Sequence, residues 1–362
     1  MIIKRQKTKQ INVGSITVGG DAPIRVQTMT CTDTRDVEKT LSQINDVVEA
    51  GAEIVRVAIP DELAAKSLKK IVDNSKVPII ADIHFNYELA IKSIENGAGA
   101  IRINPGNISD TDKLRSIIDC AKYNNVSVRI GVNSGSVEKE LLDKYGYPSS
   151  DAMVESAINH IRFFEENNFE QIKISIKSSD TLTTIDANRK LSQLVEYPIH
   201  LGVTEAGPVP EGIVKSSVGM GVLLLEGIGD TIRVSLTDEP AREIEVGYEI
   251  LKSLKIRDKG VNFISCPTCG RIEIDVIGLM KKVKEKLKKV EYPLTVSVLG
   301  CVVNGPGEAA EADVALAGGK HVGVLYVDGK IKRKVKEEDM LEELYKEVVE
   351  YVNKKESELI DK

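Results

Sequence analysis

The chain has 362 residues, a formal net charge of −6 from 49 basic and 55 acidic side chains, 4% aromatic residues and no Trp. This composition lacks the strongly basic or aromatic-rich character of nucleic-acid-binding proteins, so no nucleic-acid partner is expected. A chain of this length predicts two domains, or one large barrel with an appended domain.

The sequence also indicates whether the chain contains a membrane segment and whether its cysteines form disulfides. The N-terminal segment MIIKRQKTKQ is basic but has no apolar stretch behind it, and no segment approaches about 18 uninterrupted apolar residues. We therefore expect a soluble, cytoplasmic protein with no membrane partner. Five cysteines, three of them closely spaced, favour thiolates that bind a metal over a disulfide framework.

The first two-thirds of the chain alternates short apolar runs with amphipathic stretches. Residues 1–24 contain INVGSITVGG, which predicts a hairpin that caps or plugs the first domain. Eight apolar runs follow, separated by helical patterns such as Val37–Ala50, Tyr87–Asn96 and Thr111–Asn124. The runs are Arg25–Met29, Glu53–Val57, Val77–Ile83, Ala100–Asn104, Val126–Val132, Gln171–Ile176, Ile199–Thr204 and Thr231–Leu236.

Eight strand-and-helix units in about 230 residues predict an α/β fold of the TIM (β/α)8 barrel type. A doubly wound open sheet is the alternative, but VQTMTCTDT after the first run lacks the glycine fingerprint of that fold. The last barrel helix is predicted at Pro240–Leu254. We therefore expect a substrate-binding barrel with its hairpin over residues 1–254, a linker over 255–260 and a second domain over 261–362.

The second domain is predicted to be a small α+β unit, because its strands and helices do not alternate strictly. A strand leads into ISCPTCG, and a Lys-rich helix (Met280–Val290), a strand (Leu294–Leu299), a third cysteine, two short strands near Val314 and over Val322–Val327, and a final helix follow. The Lys-rich segments Lys281–Lys289 and Lys330–Lys336 either dock an acidic electron carrier or are simply solvated faces.

Cations inside the apolar barrel strands predict an anion site. A buried charge is costly unless it meets a partner, and five of the eight strands carry cations. Because barrel sites lie at the carboxyl ends of the strands, the set favours a multiply charged anion such as a diphosphate. The alternative is neutralisation by internal salt bridges with Asp82 and Glu205. The cations are Arg56, Arg102, Arg129, Lys173, Lys177 and Arg233.

Two carboxylates end barrel strands and are candidates for proton transfer. Asp82 precedes His84 in ADIHF, and Glu205 lies in VTEAG. Either could act as a general acid if burial raised its pKa, whereas a helix cap or an arginine partner is the alternative for Asp82. His84 is interpreted as a hydrogen-bonding residue, and the other three histidines as structural.

The clustered cysteines form a soft-metal ligand set with three members, Cys266, Cys269 and Cys301. VVNGPGE after Cys301 predicts a tight turn that delivers Glu308 as the fourth ligand, and an oxygen ligand would make one iron of an iron–sulfur cluster labile. Structural zinc, bound by the three cysteines with a carboxylate or water, is the alternative. Cys31, just past the first barrel strand, and Cys120, more simply a core residue, are the other possible fourth ligands.

Motifs along essentially the whole chain resemble those of the 4-hydroxy-3-methylbut-2-enyl diphosphate synthase family. ISCPTCGR and LGCVVNGPGEA, at their mutual spacing, are the most specific. The others are VQTMTCTDT, ADIHF, IRINPGN, IKISIKSSD, GVTEAG and IRVSLT. No large insertion separates the barrel from the cysteine domain, so the chain resembles the compact two-domain bacterial form. Cys31 departs from the family, which commonly has Asn after MT, and adds an oxidisable thiol without affecting the other assignments.

The resemblance implies a two-electron reductive ring opening of 2-C-methyl-D-erythritol 2,4-cyclodiphosphate with loss of water. It implies a 4Fe-4S cluster on Cys266, Cys269, Cys301 and Glu308 in a sulfite-reductase-like domain. It makes Glu205 the proton donor, with Asp82 nearby. It assigns the substrate to Arg56, His84, Arg102, Asn104, Arg129, Asn133, Lys177, Arg233 and Ser235.

The resemblance also implies partners, namely reduced flavodoxin or ferredoxin as electron donor and a second copy of the chain in a head-to-tail homodimer. Two other functions remain open. A redox protein of the sulfite or nitrite reductase type would place a fourth cysteine where Glu308 stands. A non-enzymatic phosphate-binding barrel would carry a zinc-stabilised appendage instead of a cluster domain.

Overall fold

A computed structural model describes residues 3–108, 110–301, 303 and 305–360 of the chain. The chain divides into two compact units, Met1–Arg257 and Asp258–Lys362. None of the helices in the described residues is both long enough and apolar enough to cross a membrane.

The first unit opens with an antiparallel hairpin, as predicted, formed by β1 (Ile11–Val13) and β2 (Ile16–Val18). Ile11, Val13 and Val18 are buried in a cluster with apolar side chains of three barrel strands, Ile54, Ile80 and Ala100. These three residues lie at or near the amino ends of their strands, so the hairpin closes the end of the barrel opposite the predicted site.

Eight parallel strands follow and confirm the predicted barrel. Their order is β8-β7-β6-β5-β4-β3-β10-β9, and a bridge between Ile174 and Ile199 joins β8 to β9 and closes the ring. The strands are β3 (Arg25–Met29), β4 (Ile54–Ala58), β5 (Ile79–Asp82), β6 (Ala100–Ile103), β7 (Ser127–Asn133), β8 (Ile172–Lys177), β9 (His200–Leu201) and β10 (Thr231–Ile232).

Two of the predicted strands were too long. The seventh and eighth runs form regular strands of only two residues each, β9 and β10, and the chain then leaves the ladder. Gly202 directly follows β9, and its backbone passes close to the Lys177 side chain and to the Arg233 carbonyl. The residues beyond these two strands therefore line the barrel mouth as loops.

Nine helices of the described chain surround the barrel strands. Asp or Asn side chains cap α1, α2, α3, α4 and α7, and Ser149 caps α6, each by accepting a backbone N–H bond from the first turn. The helices are α1 (Val37–Glu49), α2 (Glu62–Asn74), α3 (Tyr87–Glu95), α4 (Thr111–Asn124), α5 (Lys139–Tyr145), α6 (Ser150–Glu166), α7 (Thr181–Leu194), α8 (Glu211–Leu225) and α9 (Pro240–Ser253).

Alternation within the strands decides which side chains enter the barrel. In β8, Ile172, Ile174 and Ile176 pack outward into the apolar core shared with the helices. Lys173, Ser175 and Lys177 occupy the opposite, inner face. The polar members of the strand are also buried, with exposed fractions of 1% for Lys173, 3% for Ser175 and 9% for Lys177, so the barrel interior is a largely buried polar chamber.

The second unit is an α+β domain, as predicted. Its sheet has the order β11-β12-β13-β14-β15, parallel over the first three strands and antiparallel over the rest. The strands are β11 (Val261–Ser265), β12 (Leu294–Leu299), β13 (Val314–Gly319), β14 (Val322–Val327) and β15 (Lys330–Lys336); the helices are α10 (Val276–Leu287), α11 (Gly305–Ala309) and α12 (Met340–Ile360).

Two details of this unit differ from the sequence expectation. The Lys-rich helix begins at Val276 rather than Met280, because Asp275 caps it by accepting a bond from the Gly278 N–H at 2.9 Å. The segment Lys330–Lys336 is an edge strand, β15, whose side chains are mostly exposed while Val335 points into the core. A charged edge strand of this kind resists pairing with another sheet.

Candidate active site

The inner face of the barrel brings all six predicted cations into one chamber. The register aligns Arg102 with both Asp82 and Arg129, and Arg129 with Lys173, on neighbouring strands. Arg102, Arg129, Lys173 and Lys177 are each at least nine-tenths buried. These cations are therefore held close together with little water to screen their repulsion.

Asp82 is the carboxylate at the centre of the cluster on β4, β5 and β6. Its Oδ1 lies 3.4 Å from Arg102 Nη1 and 3.8 Å from Arg56 Nη1, and its Oδ2 lies 3.5 Å from Nε2 of the half-exposed His84. Burial alone would raise the pKa of Asp82, but Arg56, the His84 hydrogen bond and Arg102 together hold it well below its ordinary value. Asp82 is therefore a carboxylate at neutral pH, which is the opposite of the raised pKa that a general acid would need.

Arg129 and Lys173 have no hydrogen-bond partner for the buried nitrogens at their ends. In the described part of the chain nothing accepts a bond from Nε or Nη1 of Arg129, or from Nζ of Lys173. Burial lowers the pKa of both groups, with repulsion from neighbouring cations adding to it, and that of Lys173 falls to about 7. Buried donors without acceptors are uncommon in folded proteins, so their presence here indicates a site for an acceptor-rich ligand.

Lys177 and His200 form a second cluster between β8, β9 and β10. Nζ of Lys177 lies 3.2 Å from Nε2 of His200, whose Nδ1 lies 2.7 Å from Oγ1 of Thr231. Burial, followed by the nearby cations, keeps the pKa of His200 well below its ordinary value. Burial, followed by repulsion from the nearby arginines, also lowers the pKa of Lys177 well below its ordinary value. The imidazole is neutral, and its Nε2 can accept a bond from Nζ of Lys177 when Nδ1 carries the proton.

Glu243 on α9 neutralises Arg233. From the sequence, Glu205 was the alternative ion-pair partner for the barrel cations. Oε2 of Glu243 lies 3.3 Å from Arg233 Nε and accepts a bond from the Thr28 hydroxyl at 2.6 Å, and its Oε1 accepts the Leu236 N–H at 3.0 Å. No pattern in the helix distinguished this buried Glu from its exposed neighbours. Only the folded structure shows that Glu243 lies across the barrel wall from Arg233.

Glu205 lies apart from these ion pairs, in the loop after β9. Its side chain is exposed, and its φ of 51° places it in the left-handed region that residues other than glycine seldom adopt. The alternative that Glu205 neutralises the barrel cations is therefore wrong for the described conformation. A strained, solvent-accessible carboxylate at a barrel mouth is available to exchange protons.

Three predicted hydrogen-bonding residues lie at or beyond the strand ends. Asn104 is buried, donates from Nδ2 to the Ser136 hydroxyl at 2.8 Å and accepts the Gly106 N–H at 3.2 Å, so its amide already orders the loop after β6. Asn133 and Ser235 are half-buried. Asn133 shares the inner face of β7 with Arg129, whereas Asn104 and Ser235 lie in the segments that follow β6 and β10.

Two glycines leave the space that the cationic side chains occupy. A Cβ at Gly131 on β7 would lie 2.7 Å from Nε of Arg102, and one at Gly202 would lie 2.6 Å from Nζ of Lys177. Both distances are shorter than any real Cβ contact, so a larger residue would displace the cation. The glycines therefore belong to the geometry of the site, although the sequence argument had not selected them.

The charges inside the barrel do not balance. Asp82 pairs with Arg56 and Arg102, and Glu243 pairs with Arg233. Within the described residues no carboxylate forms an ion pair with Arg129, Lys173 or Lys177. Leaving a buried charge uncompensated costs several kcal/mol. An anion with more than one negative charge would recover much of this cost, which makes the chamber a candidate anion-binding site.

The three clustered cysteines lie at one edge of the second unit. Cys266 follows β11 and Cys301 follows β12, and because these strands are parallel and adjacent, their carboxyl ends share that edge. The Gly300 N–H donates to Sγ of Cys266 at 3.1 Å, and the Glu273 N–H donates to the Gly300 carbonyl at 2.8 Å. These bonds tie the Cys266–Cys269 loop to the segment that carries Cys301.

The donor set fits a soft metal centre. All three cysteines are free thiols, Cys269 is exposed and the other two are half-buried, and the exposed Glu308 lies on α11 after Cys301. Among the described residues, however, no three or more Cys, His, Asp or Glu side chains are already arranged to enclose a metal.

The remaining cysteines and histidines have structural surroundings. Cys120 packs against the barrel core from α4, and burial raises the pKa of its thiol. Cys31 is exposed and held by Gln43, which accepts from the Cys31 N–H at 2.8 Å and donates to Sγ at 3.0 Å. His160 pairs with Glu138 at 2.6 Å. His200 is the exception, because it contacts Lys177 inside the barrel, which no motif in the chain had indicated.

Together these features define a class: a (β/α)8 barrel with an interior anion site, carried in one chain with an α+β domain that presents a thiol-rich edge. The chain belongs to the GcpE family. The GcpE TIM-barrel domain matches residues 8–248, and the GcpE protein C-terminal domain matches residues 262–350.

Relatives named 4-hydroxy-3-methylbut-2-en-1-yl diphosphate synthase (flavodoxin) match nearly the whole chain. The protein of Thermodesulfovibrio yellowstonii is 53% identical over 347 residues, which cover 96% of this chain and 99% of its own. The protein of Geobacter sulfurreducens is 54% identical over 344 residues, covering 95% and 98%. The family and the full-length resemblance expected from the motifs are thereby confirmed.

The similarity to the solved structure of a dihydropteroate synthase covers about two-thirds of the chain. A dihydropteroate synthase from Stenotrophomonas maltophilia superposes with a TM-score of 0.52 at 15% identity, over 68% of this chain and 97% of its own. At that identity the similarity concerns the fold, and it supports the (β/α)8 architecture.

Proposed function

We propose that this chain is an oxidoreductase of isoprenoid biosynthesis. In the proposed reaction 2-C-methyl-D-erythritol 2,4-cyclodiphosphate takes up two electrons and two protons and loses water, giving (E)-4-hydroxy-3-methylbut-2-enyl diphosphate. The observation that carries the proposal is the set of buried cations that form no ion pair with a carboxylate among the described residues, Arg129, Lys173 and Lys177. The names of the full-length relatives support the choice of substrate.

The barrel residues hold the cyclic diphosphate in this proposal. Guanidinium and ammonium groups bind phosphate oxygens through short charge-assisted hydrogen bonds, and arginine can do so with two parallel donors. Asp82 keeps Arg56 and Arg102 oriented, and Glu243 does the same for Arg233. The substrate-binding residues are Arg56, His84, Arg102, Asn104, Arg129, Asn133, Lys177, Arg233 and Ser235.

Glu205 is the proton donor in this proposal. It is exposed at the barrel mouth, so it can take up a proton from solvent and give it to a leaving oxygen. Asp82 has a different catalytic role in this proposal, which is to orient the groups that bind the substrate. Because its pKa is held low, it remains charged and fixes the two arginines and His84 around the substrate.

Cys266, Cys269, Cys301 and Glu308 would hold a 4Fe-4S cluster. Such a cluster would supply electrons to the substrate one at a time. Three thiolates are the soft ligands that iron–sulfur clusters prefer, and the exposed Glu308 carboxylate would be the harder and weaker fourth ligand. Reduced flavodoxin or ferredoxin would be the electron donor, and the "(flavodoxin)" in the relatives' names favours the former. The family resemblance supports a head-to-tail homodimer.

Anaerobic purification tests the proposal. We expect a brown protein with about four irons per chain that converts the cyclic diphosphate when reduced methyl viologen supplies electrons. A colourless protein containing one zinc would favour the zinc-stabilised phosphate-binding barrel. Calorimetric titration of the same preparation with the cyclic diphosphate separates a failure of ligand binding from a failure of electron transfer.

A further inference from the structure

The exposed side of α10 carries a stripe of three lysines and one isoleucine. Ile277, Lys281, Lys284 and Lys288 follow one another at spacings of four, three and four residues, which places them on one helix face. All four are exposed, while Val276, Met280, Val283 and Leu287 bury the adjacent face in the core. We call these four exposed residues the α10 stripe.

The α10 stripe begins beside the first cluster cysteine. A cavity of about 300 Å³ lies in the same unit, and its walls include Cys266, Phe263 of β11 and three stripe residues, Ile277, Lys281 and Lys284. Lys284 also lies over the Phe263 ring, with Nζ 5.6 Å from its centroid. The stripe thus forms one wall of a groove that leads to a sulfur proposed to hold the cluster.

The charge of the α10 stripe is not neutralised within its own unit. Among the described residues no carboxylate forms an ion pair with Lys281, Lys284 or Lys288. Glu285 is exposed on the flank of the stripe and makes no such pair, and the Asp275 carboxylate is engaged by the Gly278 N–H. An exposed apolar side chain surrounded by unpaired cations is suited to an acidic protein surface.

The second Lys-rich segment does not offer the same surface. In β15, Arg333 pairs with Glu343 at 2.8 Å and with Glu347 at 2.6 Å, and Lys332 pairs with Glu347 at 3.4 Å. β15 also lies four strand positions from β11, which corresponds to about 19 Å across the sheet. Of the two segments, α10 is therefore both less neutralised and nearer to Cys266.

We propose that the α10 stripe is the docking surface for the acidic electron-donor protein. The inference rests on the proposed function, because it requires a redox centre at Cys266. Long-range attraction between the lysines and carboxylates of the donor raises the rate of encounter, and Ile277 contributes apolar contact at the end of the stripe that shares a cavity with Cys266. Such redox encounters have small interfaces and dissociate quickly, which suits the delivery of two electrons in two visits.

The experiment compares two triple variants with equal loss of charge. Lys281→Gln/Lys284→Gln/Lys288→Gln removes the stripe cations, and Lys330→Gln/Lys334→Gln/Lys336→Gln removes three exposed cations from β15. Each anaerobically purified holoenzyme is assayed with reduced flavodoxin and with reduced methyl viologen. Binding is measured separately, from line broadening of ¹⁵N-labelled oxidised flavodoxin at about 20 mM and about 300 mM salt.

We expect the stripe variant to raise the KM for flavodoxin about tenfold and to abolish most line broadening at low salt, with viologen-driven turnover unchanged. The β15 variant should behave like the wild type. Equal flavodoxin binding by the wild type and the stripe variant would overturn the docking surface alone. Absence of viologen-driven turnover in the wild type would instead overturn the proposed function. A change from dimer to monomer in the stripe variant would assign the surface to a second copy of the chain.

Discussion

Lys177 and His200 lie side by side inside the barrel, with 3.2 Å between Nζ and Nε2. The contact links β8 to β9, and Thr231 on β10 completes it through Nδ1 of His200. A neutral imidazole can accept from the Lys177 ammonium without adding to the positive charge around it. His200 therefore fixes the direction of an ammonium that would otherwise have no acceptor.

His200→Leu should weaken binding of the cyclic diphosphate roughly tenfold, because Lys177 loses its acceptor and the direction that it imposes. His200→Gln is the matched control, since its amide oxygen can still accept a bond from Lys177 and should restore part of the affinity. Calorimetric titration of each variant measures the Kd. Equal affinity in wild type and His200→Leu would contradict the positioning role.

Lys173→Met should make the ligand-free protein more stable, and more so at pH 6 than at pH 9. The pKa of Lys173 is about 7 in the folded chain, against about 10.4 when unfolded, so the unfolded chain binds more protons between these values. The cost of the buried ammonium is thus complete below pH 7 and fades as pH rises toward 10.4. Replacing such a charge with an apolar side chain typically gains about 1–4 kcal/mol.

Differential scanning calorimetry across this pH range measures the Lys173→Met effect. The surrounding ionisable groups are Arg129, which lowers the pKa of Lys173, and Asp230, which raises it. The gain in Tm should vanish or reverse when the cyclic diphosphate is bound, because the anion then compensates the ammonium. A gain in Tm that is the same at every pH would show that Lys173 is not titrating.

Gly131→Ala should weaken diphosphate binding while the barrel stays folded. The added Cβ would come within 2.7 Å of Nε and 3.1 Å of Nη2 of Arg102, and the end of that side chain can move. We expect Arg102 to leave its position near Asp82 and the Kd to rise about tenfold. Gly221→Ala on α8 is the control, because a Cβ there meets no atom within 4 Å. A Kd unchanged by Gly131→Ala would exclude a role for Arg102 in binding.

Glu205→Gln should leave the Kd for the cyclic diphosphate within about twofold and lower kcat by about 10²–10⁴-fold, the range that positioned acids and bases contribute. Glu211→Gln, at the exposed start of α8, is the control for loss of one negative charge near the mouth. Turnover with reduced methyl viologen measures kcat independently of a protein donor. Normal turnover by Glu205→Gln would remove Glu205 from the mechanism.

Local pattern was sufficient for much of the architecture. The alternation of isoleucine with lysine in IKISIK predicted both the strand β8 and the inward direction of Lys173 and Lys177, because the side-chain period of a strand is two. The spacing of Cys266 and Cys269, with Cys301 after the next strand, predicted one ligand set, and the parallel pairing of β11 with β12 brings both cysteine segments to the same edge of the sheet.

Pattern was less informative where strands are short or where a partner comes from far along the chain. β9 and β10 have only two regular residues each, so the apolar runs predicted strands longer than those in the structure. Glu243 and Arg233 lie ten residues apart on different elements, and nothing in the helix sequence marks one buried glutamate among several exposed ones. The contact of His200 with Lys177 likewise depends on the closure of the barrel between β8 and β9.

The amino-acid sequence by itself determined the two domains' classes, the inward cations and the cysteine set, because each follows from short-range periodicity or spacing. Only the tertiary structure decided the charge balance. Asp82 and Glu243 form ion pairs with three of the cations, Glu205 is exposed, and Arg129, Lys173 and Lys177 are buried with no carboxylate partner in the described part of the chain. Electrostatic energies depend on distance and on exclusion of water, and closure of the barrel sets both.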